Sequence, residues 1–279
     1  MSDFDPPRAV VRRVVEAALA EDLGVLGDIT SLACVDEDQR AEAVFVARDE
    51  GVLAGTALAA ETFRQLDDRI EVQWSAHDGD SIAPGSHLGR VTGPLRAILT
   101  GERTALNFMC HCSGVATTTH RYVVATHGKA RVIDTRKTLP GLRAIQRAAV
   151  RAGGGFNHRD SLSDAVLIKD NHVAATGIAK SIERARSAWP GRMIAVECDD
   201  LDQVVEARDA AADRVLLDNM TPDLVRRAVA LLEGVAQIEV SGGVTLETIG
   251  SYADSGADFV SVGALTHSVP VFDIGLDIL

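Results

Sequence analysis

The sequence predicts an α/β protein in which an N-terminal α+β domain is followed by a parallel α/β barrel. Three observations lead to this prediction. From residue 131 onward, short runs rich in β-branched residues alternate regularly with helical segments, which is typical of parallel βα units. Before residue 94, strand and helix patterns are mixed without that alternation. A long helical pattern that begins at Pro94 separates the two regions.

The N-terminal region combines helical and extended patterns. Residues 7–20 place apolar side chains on one helical stripe, and a helical pattern returns at 60–66. The segment 27–31 interrupts the first of these patterns. Extended patterns with turn signals between them cover residues 41–55 (two strands around Asp49-Glu50-Gly51), 70–74 and 77–93.

The long helical pattern is expected to link two domains. Its apolar stripe consists of Leu95, Ile98, Leu99, Leu106 and Met109. Gly101 and Gly114 lie within it and should weaken or bend a helix. We therefore divide the chain into an N-terminal domain (1–112), a barrel domain (113–267) and a C-terminal tail (268–279) that can pack back on the N-terminal domain.

Six strands are predicted in the barrel region, at 131–135, 165–169, 193–197, 214–218, 237–241 and 259–263. The helical segments between them are 139–152, 173–188, 201–211, 222–233 and 245–256. Pro222 falls in a first helical turn, which Thr221 can cap. Since eight strands close such a barrel, this one is either open and incomplete or has further strands within residues 113–130 or 153–158.

Each predicted strand ends in polar, charged or glycine residues, whereas the strand bodies are apolar. These ends are Thr135-Arg136-Lys137, Lys169-Asp170-Asn171, Glu197, Asp218-Asn219, Ser241-Gly242-Gly243 and Gly263-Ala264. The carboxyl ends of all strands in a barrel face one common mouth, where catalytic groups lie. The sequence therefore predicts a functional site at that mouth.

The segment 131–172 is cationic within an acidic chain. It contains eight Lys and Arg against four Asp, while the whole chain carries a net charge of −12. Arg143, Arg147 and Arg151 share one helical stripe and are interpreted as a solvated face. Five further basic residues follow apolar runs or the glycines 153–155: Arg136, Lys137, His158, Arg159 and Lys169. We interpret the three glycines as a flexible loop. The five basic residues predict a pocket for a multiply charged anion.

Glycines follow the last two predicted strands, in Ser241-Gly242-Gly243 and Gly263-Ala264. Backbone N–H groups at glycine can approach an anion closely, and the N-terminus of a following helix adds its dipole. Many barrels bind phosphate with their final two βα loops. We therefore predict a phosphate site here, with tight turns as the alternative reading.

Glu197 and Asp218 are isolated acids at the ends of neighbouring strands. Helix capping is one structural reading, although Asp199 or Asp200 could cap equally well, and an ion pair with a nearby cation is another. The functional reading, which we favour, is a carboxylate pair that holds sugar hydroxyls or Mg²⁺ or stabilises a developing cation.

Composition limits the classes of partner. The acidic balance, with a pI of about 5.1, argues against nucleic acid or an anionic membrane as a partner, and no apolar run reaches a membrane span. The N-terminus does not resemble a secretory signal, and four sparse cysteines fit reduced thiols in a cytoplasmic protein. Cys110 and Cys112 diverge on a helix, so zinc is not favoured.

Several separated motifs closely resemble the quinolinate phosphoribosyltransferases, and the similarity extends along nearly the whole chain. The motifs are residues 102–119, 134–172, 196–198, 215–219 and 239–243. The resemblance implies an N-terminal α/β sandwich domain and an open α/β barrel. It also implies a reaction that converts quinolinate and phosphoribosyl pyrophosphate into nicotinate mononucleotide, CO₂ and pyrophosphate, with Mg²⁺, on the route to NAD.

The resemblance also implies roles for individual residues, none of which departs from the family's pattern. The quinolinate and pyrophosphate pocket would be lined by Arg103, Arg136, His158, Arg159 and Lys169. Lys137 would contact pyrophosphate, and Glu197 and Asp218 would face the ribose and Mg²⁺, directly or indirectly. These three are the expected catalytic residues. Phosphate would be bound by Ser241, Gly242, Gly243, Gly263 and Ala264, with His267 nearby.

Family members work as dimers or larger assemblies, so the resemblance implies a homodimer or higher oligomer in which Arg103 reaches the partner's site. Two other functions compete with this reading. One is transfer to a different aromatic acid, as in the related molybdenum-transport-associated group. The other is a non-catalytic barrel that binds a phosphosugar, although binding alone requires no carboxylates facing the sugar.

Overall fold

A computed structural model of the chain describes residues 4–279 and divides them into two compact units. The first unit contains residues 4–120, 138–154 and 265–279, and the second contains 121–137 and 155–264. This division differs from the boundaries expected from the sequence, because residues 113–120, 138–154 and 265–267 cluster with the N-terminal segment.

The first unit is built on an antiparallel sheet. The strands of this sheet are β1 (Arg40–Ala47), β3 (Glu71–Trp74), β5 (His87–Pro94) and β12 (Ile274–Ile278), in the order β12-β1-β5-β3. A separate pair is formed by β2 (Gly51–Val52) and β4 (Ser81–Ile82). The helices are α1 (Arg8–Leu23), α2 (Ile29–Cys34), α3 (Thr56–Leu66) and α5 (Arg143–Ala152). Helices with residues in both units are α4 (Leu95–Ala125) and α11 (Ala264–His267).

Aromatic side chains form the centre of the first unit's core. Phe45 on β1 stacks on Trp74 of β3, with ring centroids 5.1 Å apart, and lies 6.2 Å from Phe63 of α3. The interior of α4 contributes Ile98 and Met109, which are fully buried. The strand period of two and the helix period of 3.6 thus direct apolar residues to one common interior.

Glycine allows the C-terminal segment to approach α4 closely. A Cβ atom at Gly114 would overlap the carbonyl oxygen of Pro270. The helix continues without a break through Gly101 and Gly114. Beyond Pro270 the chain forms β12, which pairs with β1 from Ala43↔Ile278 to Ala47↔Ile274.

The second unit is a parallel sheet flanked by helices. The strands of this sheet are β6 (Arg131–Ile133), β7 (Val166–Ile168), β8 (Ile194–Cys198), β9 (Arg214–Asp218), β10 (Gln237–Ser241) and β11 (Phe259–Ser261), in the order β6-β11-β10-β9-β8-β7. The helices are α6 (Asp170–Thr176), α7 (Ile178–Ala188), α8 (Leu201–Asp209), α9 (Pro222–Leu232) and α10 (Ile249–Ala253). The fold class expected from the sequence is confirmed, since this six-stranded sheet does not close into a barrel.

Successive side chains of the parallel strands point to opposite faces of the sheet. One set packs into a core with α7, α8 and α9, and its buried strand members are Ile168, Ile194, Val196, Cys198, Val215, Leu217, Ile238 and Val240. The alternate set faces a cavity, and its members are Leu167, Lys169, Glu197, Leu216, Asp218, Glu239, Ser241 and Ser261. The strand period therefore separates the residues that hold the sheet to its helices from those available for chemistry.

Several local expectations are corrected by the structure. Residues 27–31 do not simply break a pattern: Asp28 caps α2 by accepting the N–H groups of Thr30 and Ser31. The two strands within 41–55 lie in different sheets, because β2 pairs with β4. No strand occupies 113–125, which is helical, and within 153–158 Phe156 makes an isolated parallel bridge with Ile133.

The expected caps of the second unit are present. Thr221 accepts the N–H of Leu224 at the start of α9, where Pro222 occupies the first turn. The helix expected at 173–188 is instead two helices, with Gly177 between them at a φ of 79°.

Within residues 4–279, no helix combines the length and apolar character needed to cross a bilayer.

Candidate active site

A cavity of about 440 Å³ lies at the C-terminal ends of the second unit's parallel strands. Among the site residues expected from the sequence, those that line it are Arg136, Lys137, His158, Arg159, Lys169, Glu197, Asp218 and Ser241. Further lining residues, which the sequence did not identify as site residues, are Thr135, Leu167, Leu216, Glu239 and Ser261. The strand-end residues named from the sequence thus surround one cavity.

Two carboxylates at the ends of β8 and β9 form the acidic side of the cavity. Nζ of Lys169 lies 2.7 Å from Oε2 of Glu197, so the ion-pair reading of Glu197 holds. Glu197 does not cap α8, because Asp200 caps this helix by accepting the N–H of Gln203 at 2.8 Å. Burial, followed by the negative charge of Glu197, raises the pKa of Asp218.

The turns that follow β9 and β10 contact each other and hold Asp218 in place. The side-chain amide of Asn219 donates to Oδ2 of Asp218 at 2.7 Å, and the Asn219 N–H donates to the carbonyl of Ser241 at 2.9 Å. Gly242 has a φ of 89°, and a Cβ atom there would overlap the Asn219 side chain. Glycine is therefore required at Gly242 by the turn itself, which is the structural alternative to a phosphate site.

The basic side of the cavity combines exposed and half-buried cations. Arg136 and Lys137 are exposed just beyond β6, and the Lys137 N–H donates to Oγ1 of Thr135 at 3.0 Å. Arg159 is half-buried, and its Nη1 donates to the carbonyl of Ala165 at 3.2 Å. Burial, and then the nearby charge of Arg136, lowers the pKa of Arg159. Such a concentration of positive charge suits an anionic ligand.

Beneath these groups lies a buried acid, Glu239, whose side chain is 1% exposed. It contacts Nε2 of His158 at 3.1 Å and Nη1 of Arg214 at 3.1 Å, and it accepts the hydroxyl of Ser261. Burial is the largest influence on the pKa of Glu239 and would raise it. The hydrogen bond from His158 and the charge that His158 carries when it is protonated, together with the Ser261 hydrogen bond and the charge of Arg214, outweigh burial and lower that pKa.

The loop that carries His158 is anchored by a second buried acid. Asp134, which is 1% exposed, accepts the His158 N–H at 2.7 Å and the side-chain amide of Asn157 at 2.7 Å. Neither Glu239 nor Asp134 was identified as a site residue from the sequence. The available signal was an acid within an otherwise apolar strand, in QIEVS and RVIDT, because such an acid must find buried partners.

The remaining expected site residues do not line the cavity: Arg103, Gly242, Gly243, Gly263, Ala264 and His267. Arg103 is exposed on α4 in the first unit and makes no ion pair within residues 4–279; Glu61 pairs with Arg64 instead. His267 is exposed at the end of α11, with Nδ1 2.7 Å from the Ser268 hydroxyl.

The arginine stripe of α5 is not the solvated face that the sequence suggested. Arg143, Arg147 and Arg151 are all half-buried. Nε of Arg143 donates to the Thr138 hydroxyl at 3.1 Å, and Nη2 of Arg151 donates to the Phe4 carbonyl at 3.0 Å. The long aliphatic stems of these side chains cover apolar surface while their guanidinium groups make polar contacts.

The carboxylates of the cavity are the candidate oxygen donors for a metal ion. Within residues 4–279, no group of three or more His, Cys, Asp and Glu side chains forms a metal cluster. Glu197 and Asp218 lie beside the cations, whereas the third acid of the cavity, Glu239, is engaged by His158, Arg214 and Ser261. Mg²⁺ commonly uses only one or two carboxylates and completes its shell with water and ligand phosphates, so this donor set fits such an ion.

The fold and the site together define a two-domain α/β protein with an open parallel sheet, whose strand-end cavity places two carboxylates beside several cations. Comparisons with known proteins give the family. The model of the quinolinate phosphoribosyl transferase N-terminal domain matches residues 28–113, and that of the C-terminal domain matches residues 115–277. The chain belongs to the quinolinate phosphoribosyltransferase family.

Individual relatives are similar along nearly their full length. A Bacillus subtilis protein named probable nicotinate-nucleotide pyrophosphorylase (carboxylating) is 40% identical over 272 residues, covering 96% of this chain and 93% of the relative. The chloroplastic Arabidopsis thaliana enzyme is 39% identical, covering 98% of this chain and 84% of the relative. The solved structure of the nicotinate-nucleotide pyrophosphorylase from Francisella tularensis superposes with a TM-score of 0.94 at 38% identity, covering 100% and 99% of the two chains.

Proposed function

We propose that this chain transfers the phosphoribosyl group of phosphoribosyl pyrophosphate to quinolinate, with loss of CO₂, in de novo NAD biosynthesis. The products are nicotinate mononucleotide, CO₂ and pyrophosphate. The observation that carries the proposal is the strand-end cavity in a member of this family, where Lys169 and Arg159 lie with Glu197 and Asp218. Both substrates are anions, and transfer between them creates a transient cation, so the site needs both signs of charge.

Substrate binding is assigned to the basic side of the cavity. Arg136, Arg159 and Lys169 bind the quinolinate carboxylates and neighbouring phosphate oxygens, since the arginine fork donates to a planar carboxylate in a bidentate manner. Lys137 binds the pyrophosphate end as a point charge. The exposure of Lys137 at the mouth supports its role, because pyrophosphate must leave through that mouth.

Group transfer is assigned to the acidic side. The quinolinate ring nitrogen forms a bond to ribose C1, and the bond from C1 to the pyrophosphate oxygen breaks with its electron pair. Positive charge builds on the ribose at this point, and Asp218 and Glu197 stabilise it electrostatically. The ring nitrogen is then quaternary, so the adjacent C–CO₂ bond can break with its electron pair held by the ring. That ring carbon finally takes up a proton.

Mg²⁺ is proposed as the metal of this site, with Asp218 and Glu197 holding it directly or through water. When bound, it would neutralise the phosphate charge of the leaving group. The raised pKa of Asp218 supports this assignment, because a buried carboxyl beside another acid is stabilised by an added cation. Phosphate binding at the final two loops is proposed for Ser241, Gly242, Gly243, Gly263 and Ala264, with His267 nearby.

The activity is tested by incubating the protein with phosphoribosyl pyrophosphate and Mg²⁺ and either quinolinate or nicotinate, following CO₂ and mononucleotide. We expect mononucleotide and CO₂ in equal amounts from quinolinate and no product from nicotinate. Product from nicotinate alone would support transfer to another aromatic acid. Binding of phosphoribosyl pyrophosphate without turnover of either acid would support a non-catalytic barrel.

We further propose that the active unit is a homodimer or a higher oligomer in which Arg103 completes the partner's site. The family resemblance supports this, and so does the exposure of Arg103 on α4, in a different unit from the cavity residues. An arginine supplied by a neighbour would close an anion pocket and exclude water without a mobile lid.

Subunit exchange tests this arrangement. Arg103→Ala and Lys169→Ala chains, each nearly inactive alone, are mixed and allowed to exchange subunits. If Arg103 acts across the interface, each mixed dimer has one intact site and activity returns. Failure of activity to return although mixed dimers form, or full activity of a monomer in sedimentation, would contradict the proposal.

A cytoplasmic location is also proposed. All four cysteines are free thiols, and only Cys34 is exposed. Reduced cysteines are ordinary in the cytoplasm and unusual in oxidising compartments. Fractionation of the source cells would test this, since recovery of the protein outside the cytoplasmic fraction would contradict it.

A further inference from the structure

The imidazole ring of His158 is held on both of its nitrogen atoms. Nδ1 lies 2.7 Å from the backbone nitrogen of Arg159, and Nε2 lies 3.1 Å from Oε2 of Glu239. The ring is nearly enclosed, since the His158 side chain is 8% exposed and that of Glu239 is 1% exposed. Both contacts therefore form away from competing water.

The chemistry of these two neighbours fixes the protons on the ring. A backbone N–H can only donate, so Nδ1 of His158 must offer its lone pair to Arg159. An ionised carboxylate can only accept, so Nε2 must carry the hydrogen towards Glu239. The arrangement is that of a neutral imidazole protonated at Nε2. A second proton at Nδ1 would point at the Arg159 N–H and break that contact.

Glu239 is held as an anion by partners on its other sides. Nη1 of Arg214 lies 3.1 Å from Oε2, and the Ser261 hydroxyl donates to Oε1. The Arg214 guanidinium is itself fixed over the Phe259 ring, 4.2 Å from the centroid, and it donates to Gln237 at 2.8 Å. Glu239 is thus an immobile acceptor at the base of the cavity, suited to orienting a ring above it.

We propose that His158 is a neutral positioning residue. Through its hydrogen bonds with Glu239 and with the Arg159 N–H, it fixes the backbone of Arg159 and thereby orients the Arg159 guanidinium towards the anionic substrate. This differs from a direct cationic role for His158 and rests on the proposed function, in which Arg159 binds quinolinate. Two further contacts hold the same loop: Asp134 accepts the His158 N–H at 2.7 Å, and the Arg159 guanidinium donates to Ala165 at 3.2 Å. A binding group placed by such supports loses little freedom when the ligand arrives.

The proton position is tested directly by ¹⁵N NMR of the ring nitrogens in the wild-type protein without substrate at pH 7.5. His158→Gln serves to assign the signal. We expect two widely separated nitrogen shifts, with the proton correlated to Nε2. Two similar shifts, as in an imidazolium, or a proton on Nδ1 would overturn the proposal. This measurement needs no turnover, so a failure of the proposed function would leave its outcome readable.

The route through Arg159 is tested by a double-mutant cycle on the equilibrium Kd for quinolinate. We expect His158→Gln to weaken binding about tenfold in the wild-type background, the scale of one lost hydrogen bond. In the Arg159→Ala background the same change should cost less than about twofold, because the group that His158 positions is gone. An undiminished tenfold loss in that background would mean that His158 contacts the substrate itself.

A matched control separates positioning from general damage to the site. His158→Gln combined with Lys169→Ala should give additive losses, because Lys169 is held by Glu197 and not by the His158 loop. Thermal unfolding of each variant identifies any that fail to fold, and the NMR measurement on the wild-type protein then decides the question. If quinolinate fails to bind the wild-type protein, the proposed substrate is wrong, whereas the proton position of His158 is still tested.

Discussion

The carboxylate pair Glu197 and Asp218 makes the charge of the cavity sensitive to pH. Burial, and then the charge of Glu197, raises the pKa of Asp218, while Lys169 and Lys137 oppose this. Asp218 must be ionised to stabilise a cationic ribose. The kcat/KM, which reports the ionisation of groups in the free enzyme, should therefore be lost as the pH falls through this raised pKa, at a higher pH than for an ordinary aspartate.

Glu197→Gln should move the acidic limb of the kcat/KM profile to lower pH, although the overall rate falls. The change removes the nearest negative charge, so the pKa of Asp218 drops and the carboxylate survives to lower pH. Asp199→Asn is the matched control, since Asp199 also raises this pKa but less than Glu197 does. A limb that stayed in place or moved to higher pH in Glu197→Gln would contradict the assignment of Asp218.

Lys137→Ala should lower kcat/KM for phosphoribosyl pyrophosphate by about tenfold to a hundredfold, the value of one charge-assisted hydrogen bond. The midpoint of thermal unfolding should not change, because Lys137 is exposed. Lys129→Ala is the control: this lysine forms an exposed ion pair with Asp254 at 2.6 Å, outside the cavity. Unchanged kinetics in Lys137→Ala at both saturating and limiting substrate would remove Lys137 from the site.

At the scale of residues, the sequence revealed the groups at strand ends and missed those within strands. Lys169, Glu197 and Asp218 stand out because charged residues follow apolar runs. Glu239 sits inside such a run, and its role depends on Arg214, Ser261 and His158 from three other segments. A linear pattern shows that a buried acid needs partners but not which residues supply them.

At the scale of elements, the alternating faces of β9 give a prediction about neighbouring residues. Leu217 is fully buried against the helices, whereas Leu216 faces the cavity. Leu217→Ala should lower the free energy of unfolding by about 2–5 kcal/mol with little change in KM. Leu216→Ala should raise the KM for quinolinate more than Leu217→Ala does. The reverse pattern, measured by denaturant unfolding and steady-state kinetics, would contradict the register of β9.

Strand and helix periodicity made most of the second unit predictable. All six expected parallel strands are present, each within two residues of its expected ends. The short helix α2 was missed because its stability comes from Asp28, which accepts two N–H groups and also the Thr100 hydroxyl at 3.0 Å. A contact to a residue so distant in sequence leaves no local pattern, and the same limit concealed that β2 pairs with β4.

At the scale of the whole molecule, pairing between distant segments determines which unit each segment joins, and the sequence did not reveal this pairing. Residues 274–278 complete the sheet of the first unit by pairing with β1, more than two hundred residues away. The segment 138–154 clusters with that unit although it lies between two strands of the second. Periodicity identifies such segments as strand or helix but gives no information on which unit they join. The division of the chain therefore required the structure.

The central claim is that this strand-end cavity carries out phosphoribosyl transfer with decarboxylation. The most direct test is the kcat for CO₂ release from carboxyl-labelled quinolinate by Asp218→Asn, with phosphoribosyl pyrophosphate and Mg²⁺ present. Asp223→Asn, an 85% exposed acid on α9, is the control. Asp218→Asn should lower kcat by about a hundredfold to a thousandfold while quinolinate still binds, and Asp223→Asn should have the wild-type kcat. A wild-type kcat in Asp218→Asn, or a change in the KM for quinolinate alone, would contradict it.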